Sequence, residues 1–154
     1  MEIENKLRAL GYALPEPSEA AGNYIQTVQV GNILFIGGNI GRFKGQSLKY
    51  TGQVGDRVTV EQAYESARNV ALNHLAKIKI ALGDLDRVER IVKVNGYVNA
   101  APGFNQMAEV LNGESDLLVA LWGEKGKHVR TAVGVSGLGR DAPVEAEVVV
   151  QVKD

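Results

Sequence analysis

The sequence predicts an α+β fold in which helices pack on one face of a mostly antiparallel sheet. Two long segments place apolar residues at helical spacing, and five shorter runs have the alternation or the β-branched residues typical of strands. The predicted order is a short helix, two strands, a long helix, a strand, a helical region and two strands. The 154 residues fit one domain, 1–154, that can bury roughly 70% of the surface of its unfolded chain.

The N-terminal segment predicts a short peripheral helix. Ile3, Leu7 and Leu10 fall on one face of it, and Gly11 lies where a glycine would end it. We interpret residues 1–21, which include the loop after this helix, as an extension ahead of the rest of the domain.

A hairpin is predicted next. The segment from Tyr24 to Val30 alternates as a strand does, Gly31-Asn32 makes a turn, and Ile33 to Ile36 form the second strand, which ends at Gly37-Gly38. Residues 39–58 are rich in Gly, Lys and Gln and have no periodicity. We therefore expect a long exposed loop there, either a mobile surface segment or a functional one.

The best-defined helix begins after Thr59. Gln62 follows three residues later, which is the pattern of a capping box, and apolar residues continue at helical spacing to Leu82, with Gly83 beyond the end. His74 lies on this apolar stripe. It is either a ligand or base, or a histidine at the edge of the core with a satisfied hydrogen bond, and we favour the second interpretation.

The second half of the chain supplies the remaining elements. The sequence predicts, in order, a strand from Val88 to about Val98, a helical region over 102–122 that is interrupted at Gly113, and strands over 129–136 and 144–152.

Composition and charge disfavour several classes of function. The net charge of -1, from 17 basic and 18 acidic residues, provides no basic excess for binding nucleic acid. There is no cysteine, and the two histidines, His74 and His128, stand far apart, so we expect no metal centre and no cofactor. No segment approaches the ~20 apolar residues of a membrane span and no signal peptide is recognisable, so we expect a cytoplasmic protein.

The first of the two C-terminal strands contains a charged residue among small ones. Arg130 shares a face with Ala132 and Gly134, which leaves room for a ligand, and its planar guanidinium matches a carboxylate through two parallel hydrogen bonds. We expect Arg130 to bind a small carboxylate-bearing metabolite. The alternative is an arginine that pairs with Glu145, Glu147 or an aspartate to hold the sheet.

The last strand carries two carboxylates on one side. Glu145 or Glu147 could act as a general acid or base or position water, or the strand could simply expose acidic side chains. If the last two strands form a simple hairpin, Arg130 lies opposite Val150 and about 15 Å from Glu145 at ~3.4 Å per residue. The two groups could then meet only across a subunit interface, which favours an oligomer.

Several short segments also occur in a characteristic order. They are Gly22-Asn23-Tyr24-Ile25-Gln26, Val30-Gly31-Asn32-Ile33-Leu34-Phe35 with Gly37-Gly38-Asn39-Ile40, Gln62 with Asn69-Val70, Leu85-Asp86-Arg87-Val88, Lys93-Val94, Gly103-Phe104, Arg130-Thr131-Ala132-Val133 and Val144-Glu145-Ala146-Glu147. In this order they resemble the Rid family of reactive-intermediate deaminases, also called the YjgF or L-PSP endoribonuclease-like family. The resemblance covers nearly the whole chain after about Gly22.

The resemblance implies a chorismate-mutase-like fold and a homotrimer with three clefts between subunits. It also implies hydrolysis of 2-imino acids, or their enamine tautomers, to 2-oxo acids and ammonia. In such a site Arg130 would bind the substrate carboxylate, Glu145 would position the attacking water, and the carbonyl of Ala132 would orient the imine or the water. The cleft would be lined by Tyr24, Gly37, Gly38 and Phe104.

The chain departs from the family pattern at three positions. Asn23 replaces the usual proline, Gly37 stands where active members commonly carry a serine, and Ala108 stands where an asparagine often follows the phenylalanine. The loop before the main helix, that helix, and the helical region before Arg130 are longer than in compact members. The chain therefore resembles a longer, divergent subgroup.

Three functions follow as hypotheses. The first is an imine or enamine deaminase, and the second is a non-catalytic trimer that binds or senses small carboxylates. The third, an endoribonuclease, comes only from the family's historical name, since no histidine pair or basic stripe supports it.

Overall fold

The computed structural model describes residues 1–154 and contains one five-stranded sheet and three α-helices. The strands are β1 (Thr27–Val30), β2 (Ile33–Ile40), β3 (Val88–Asn99), β4 (Val129–Val135) and β5 (Val144–Val152), and the helices are α1 (Glu2–Ala9), α2 (Val60–Leu82) and α3 (Met107–Trp122). Short 3-10 helices cover Leu85–Arg87, Gly123–Gly126 and Gly139–Asp141. The predicted α+β class is confirmed.

The sheet is mostly antiparallel. The order of its strands is β1-β2-β5-β3-β4, and only the β3–β4 pair is parallel. On β5 the residues from Val144 to Val152 alternate between buried and half-buried, because one face of the strand packs on the helices. That buried face, together with the apolar faces of α2 and α3, forms a single core.

Helix α2 follows the prediction closely. The Thr59 hydroxyl accepts a hydrogen bond from the Gln62 N–H (3.1 Å) and the Gln62 side chain accepts one from the Thr59 N–H (3.0 Å), which completes the capping box. Gly83 ends the helix with a φ of 83°, a left-handed conformation that favours glycine. The predicted α1 also forms, with Ile3 and Leu7 buried, but Leu10 is exposed.

Helix α3 differs from the prediction because Gly113 does not interrupt it. A Cβ at this position would come within 2.0 Å of the Tyr64 carbonyl oxygen on α2. The glycine therefore permits close packing of α2 on α3, and the helix continues through it.

The loop between β2 and α2 is only partly exposed. Val54 and Val58 are buried, the Val54 N–H donates to the Asn99 carbonyl (2.7 Å), and the Ala101 N–H donates to the Val54 carbonyl (3.0 Å). The expectation of an exposed loop over 39–58 is wrong for residues 39–40, which end β2, and for part of its second half. Two valines among glycine and polar residues form no periodic pattern, so the pairing of Val54 with Val58 and with Ala100 left no signal in the sequence.

The last two strands do not form the simple hairpin that we expected. β4 pairs in parallel with β3, whereas β5 lies between β2 and β3. Helix α3 carries the chain across the sheet from β3 to β4, and a parallel pair requires a crossover connection of this kind. β5 then returns to the centre of the sheet, where it has a strand on both sides.

The face of the sheet opposite the helices, which we call the open face, has no cover within the chain. It carries five exposed apolar side chains, namely Val28, Val30, Phe35, Val129 and Val133. None of the helices combines the length and the apolar character that a membrane span requires.

Candidate functional site

Arg130 lies on the face of β4 that is directed at α3. Its Nη1 donates hydrogen bonds to Asn112 Oδ1 (2.9 Å) and Ser115 Oγ (3.1 Å), and its Nη2 donates to the Ala108 carbonyl (3.3 Å). These acceptors are neutral, and Arg130 forms no ion pair. The alternative of an arginine paired with a carboxylate of the sheet is therefore wrong within the chain, and the charge is available to an anion.

The serine that orients Arg130 is itself held by a histidine. His128 Nδ1 lies 2.7 Å from the Gly126 carbonyl, so it must donate, and the unprotonated Nε2 then accepts from Ser115 Oγ (2.9 Å). The Ser115 oxygen remains free to accept from Arg130. Neither Asn112, Ser115 nor His128 was identified from the sequence, although Asn112 and Ser115 are three apart on α3 and so share a face.

Of the two glutamates on β5 that we singled out, Glu145 is the one whose carboxylate forms no hydrogen bond. It is half-buried on β5, and burial, followed by the charge of Glu147, raises the pKa of its side chain. Glu147, by contrast, accepts hydrogen bonds from Asn95 Nδ2 (3.1 Å) and from the Tyr97 hydroxyl (3.0 Å). The hydrogen bond from the Tyr97 hydroxyl raises the pKa of Tyr97. Glu145 therefore has both carboxylate oxygens free to act on water or a ligand, whereas Oε1 of Glu147 is occupied.

Gly38 provides the space that Glu145 occupies. A Cβ on Gly38 would lie 2.5 Å from Glu145 Oε2, whereas a Cβ on Gly37 would meet nothing closer than the Gln26 carbonyl oxygen at 3.6 Å. The register between β2 and β5 shifts between Ile36 and Asn39, so a β-bulge at Gly37-Gly38 brings the strand next to this carboxylate.

A pocket of about 340 Å³ opens in front of Glu145. β1 begins only at Thr27, which pairs with Ile36, so the residues of β2 after Ile36 have no strand on that side, and the pocket occupies the gap. Its walls include the predicted Tyr24 and Gly38.

Arg130 and Glu145 do not meet within the chain. β3 lies between their strands, where Val94 pairs with Arg130 and Tyr97 pairs with Glu145. At ~3.3 Å per residue and ~4.8 Å between strands, their Cα atoms are about 14 Å apart. Arg130 is directed at α3 and Glu145 lies on the opposite, open face, so one chain cannot present both groups to one small ligand.

The family model for YjgF/chorismate-mutase-like proteins, described as endoribonucleases, matches residues 4–138. The chain belongs to this family. It is 39% identical to Protein TCP17 of Trypanosoma cruzi over 153 residues, which cover 99% of this chain and 95% of that protein.

Solved structures of other proteins resemble this YjgF-family chain to different degrees. The crystal structure of Atu1372 from Agrobacterium tumefaciens, a protein of unknown function, matches with a TM-score of 0.91 and 38% identity, over 99% of this chain and 94% of that chain. RidA from an Antarctic Psychrobacter matches with a TM-score of 0.63 and 27% identity, over 89% and 94% of the two chains. The chain is thus more similar in structure to Atu1372 than to this RidA.

The other residues predicted from the family pattern do not all lie in one place within the chain. Ala132 is partly buried beside α3, on the same face as Arg130, and Phe104 packs over Gly55 and against the core. Gly37 borders a separate depression of the open face. Tyr24, Gly38 and Glu145 thus share one pocket, whereas Arg130 and Ala132 belong to the other half of the predicted site.

Ala108, where other members of the YjgF family carry an asparagine, still contributes to the arginine site. Its backbone carbonyl accepts from Arg130 Nη2, and Asn112, one turn later on α3, supplies an amide oxygen to Nη1. Although alanine replaces asparagine at this position, α3 still supplies hydrogen-bond acceptors that hold the Arg130 guanidinium.

Lys77 is a residue of the Glu145 pocket that the sequence analysis missed. Its side chain is 4% exposed, and its Nζ donates to Gln26 Oε1 (2.6 Å) and to Asn39 Oδ1. Burial lowers the pKa of Lys77 to about 8. A lysine between Leu75 and Ile78 on the apolar stripe of α2 was the available signal.

His74 is the satisfied histidine that we favoured, although it lies fully inside the core rather than at its edge. Its Nε2 donates to the Ala146 carbonyl (2.9 Å), and its Nδ1 lies 2.7 Å from Glu114 Oε1. The pair joins α2, α3 and β5 immediately beside Glu145. The second oxygen of Glu114 has no partner.

Proposed function

We propose that the protein is a homotrimeric deaminase that hydrolyses 2-imino acids, or their enamine tautomers, to 2-oxo acids and ammonia. The observation that supports this proposal is that two groups of opposite charge are both without an oppositely charged partner. Arg130 has a positive charge with no acidic partner, and Glu145 has a carboxylate with no hydrogen bond. The first suits the carboxylate of the substrate and the second suits a water molecule.

The proposed reaction adds water to the C=N bond and then expels ammonia. Glu145 takes a proton from the water as the water oxygen bonds to the imine carbon, and passes that proton to the imine nitrogen, which gives a carbinolamine. Glu145 then takes the hydroxyl proton and passes it to the amino group, so that the C–N bond breaks, ammonia leaves and C=O forms. The raised pKa of Glu145 makes it a better base than an ordinary glutamate.

Arg130 would contribute mainly by orientation. Two parallel hydrogen bonds to a carboxylate fix the position and the plane of a small acid, and a fixed substrate needs little further help because an imine is already electrophilic. The carbonyl of Ala132, two residues along the same strand, would orient the imine or the water.

The open face supports a homotrimer. Its exposed valines and Phe35 form an apolar surface that a second copy of the chain can cover, and an interface there would carry Arg130, at the sheet edge, toward Glu145 of a neighbouring subunit. Each of three clefts would then combine Arg130 and Ala132 of one subunit with Tyr24, Gly38 and Glu145 of the next.

The proposal is tested by generating 2-aminoacrylate or 2-iminobutyrate with a pyridoxal-phosphate-dependent dehydratase and following release of the 2-oxo acid. The wild type should accelerate release over buffer. Glu145→Gln should lower kcat by about 100-fold or more, and Arg130→Ala should lower kcat/KM by about 10- to 100-fold. Arg8→Ala, on the surface of α1, is the matched control. Release no faster than in buffer would refute the deaminase.

The second candidate is a non-catalytic trimer that binds small carboxylates. It is favoured by Gly37, which supplies no hydroxyl where active members commonly have one. Under this hypothesis 2-oxo acids should raise the Tm of the wild type but not that of Arg130→Ala, in the absence of any turnover. Equal shifts for the two proteins would assign Arg130 a structural role.

A further inference from the structure

The pocket in front of Glu145 contains more positive charge than the proposed reaction requires. We call it the basic pocket, after the three cations in its wall, Lys77, Arg42 and Arg140. The remaining titratable groups of the wall are Glu19, Tyr24 and Glu145.

Lys77 carries a buried charge without a counterion. Its two partners, Gln26 and Asn39, are neutral side chains, and no carboxylate lies within 4 Å of its Nζ. An uncompensated charge at a buried position destabilises the folded protein, because the hydration of the ion is lost and no attraction replaces it. An anion in the pocket would supply that attraction and would accept the remaining N–H of the ammonium group.

The two arginines are also open to a ligand. Arg42 uses only its Nε, which donates to the Gln46 carbonyl (2.9 Å), and the guanidinium of Arg140 donates no hydrogen bond within the chain. Arg140 lies at a φ of 58°, in the left-handed region that costs a non-glycine residue about 1 kcal/mol or more. Arg140 lies in the wall of the pocket, so its unpaired guanidinium is within reach of a ligand there.

We infer that the basic pocket binds a second acidic group of the substrate, so that the substrates are 2-imino dicarboxylic acids. This inference rests on the proposed function. Arg130 of a neighbouring subunit would hold the carboxylate next to the imine, Glu145 would hold water at the imine carbon, and the side-chain carboxylate would enter the basic pocket. An alkyl side chain would instead leave the Lys77 ammonium without a counterion.

The inference is tested by comparing two kinds of imine. An amino-acid oxidase that accepts aspartate or glutamate supplies the dicarboxylic imines, one that accepts leucine supplies the alkyl imine, and release of 2-oxo acid is followed over buffer. The wild type should show a kcat/KM at least about 10-fold higher for the dicarboxylic imines. Lys77→Met and Arg140→Gly should each lower this ratio by about 10-fold. Lys125→Met, on the surface, is the control for the loss of one charge.

Equal kcat/KM values for the two kinds of imine, or an unchanged ratio in both pocket variants, would overturn the inference while leaving the deaminase in place. If no imine is turned over, the Tm is measured with 2-oxoglutarate and with 2-oxobutyrate. If 2-oxoglutarate raises the Tm of the wild type, 2-oxobutyrate does not, and Lys77→Met shows no such rise, the dicarboxylic ligand class is supported although the deaminase has failed. If 2-oxoglutarate raises the Tm no more than 2-oxobutyrate does, the dicarboxylic ligand class is refuted together with the deaminase. Should Lys77→Met not fold, Arg140→Gly decides, since glycine adopts a positive φ without strain.

Discussion

At the scale of single residues, the charged groups of the candidate site are distinguished by having no oppositely charged partner. Arg130 and Lys77 have only neutral partners, and Glu145 has none, whereas most other charged residues of the surface take part in ion pairs. Charged groups that remain unpaired in a partly buried setting are more often functional than structural, because nothing in the fold compensates for their burial.

The two neighbouring glycines of β2 should respond differently to substitution. Gly38→Ala places a Cβ 2.5 Å from the present position of Glu145 Oε2, so the carboxylate must move, and a displacement of about 1 Å can cost roughly 100-fold in rate. Gly37→Ser meets no close atom and adds the hydroxyl of active relatives, so it should be at least as active as the wild type. Steady-state kinetics and a crystal structure of each variant would measure this. Equal losses in both would mean that Gly38 does not position Glu145.

Lys77 should make stability depend on pH. The pKa of this group falls from 10.5 to about 8 on folding, so between these values the unfolded chain binds a proton that the folded chain does not. Stability should therefore rise with pH through this window, by on the order of 1 kcal/mol per pH unit at most. Above about pH 10 the raised pKa values of Tyr64 and Tyr97 make stability fall with rising pH, because the folded chain then keeps protons that the unfolded chain loses.

The measurement is urea denaturation at about pH 7.5, 8.5 and 9.5 for the wild type and for Lys77→Met. The difference in free energy of unfolding between the two should change with pH in favour of the wild type. A constant difference across this range would show that Lys77 has the same pKa in both states.

Residues of the site could be predicted where they break a pattern. Arg130 among small residues and Glu145 in a valine-rich strand contrast with their neighbours on an element whose faces alternate strictly. Lys77 gave a weaker contrast, because lysines often extend from an apolar helix face to reach water. Asn112, Ser115 and His128 are ordinary helix and loop residues, and only the packing of β4 on α3 gives them a role.

At the scale of elements, local signals predicted which segments form but not which segments are neighbours. The capping box and Gly83 determine both ends of α2 from within a few residues. The partner of β4 depends instead on the crossover through α3, which no local pattern specifies. The predicted pairing of β4 with β5 was wrong, but the prediction that Arg130 and Glu145 lie far apart within one chain was correct, because β3 lies between their strands.

The buried pair of His74 and Glu114 connects α2, α3 and β5, and its loss should weaken all three. Glu114→Leu leaves His74 Nδ1 unpaired at a fully buried position, so we expect a loss of about 3 kcal/mol in the free energy of unfolding. Glu114→Gln keeps an acceptor or donor for the ring and should lose less. Replacing both residues by leucine should cost less than the sum of the single changes.

Urea denaturation of the three variants and of His74→Leu gives the required free energies. Additive effects would contradict the pair, because they would mean that the two side chains stabilise the fold independently.

At the scale of the whole molecule, each side of the sheet presents one half of the proposed site. The helix-packed side holds Arg130 at the β4 edge, and the open face holds Glu145 on the central β5. A closed ring of identical subunits brings two different surfaces of one chain together at every interface, and a heterologous contact of this kind can therefore complete the site.

Mixed trimers would test this arrangement directly. Alone, Arg130→Ala and Glu145→Gln should each keep about one tenth or less of the wild-type kcat/KM. When the two variants are co-expressed or exchanged in equal amounts, a cleft is intact if its arginine comes from the Glu145→Gln chain and its glutamate from the Arg130→Ala chain. With random mixing this holds for about one cleft in four, so the mixture should recover about one quarter of the wild-type rate. A site contained in one chain recovers nothing, because every chain then lacks one of the two groups.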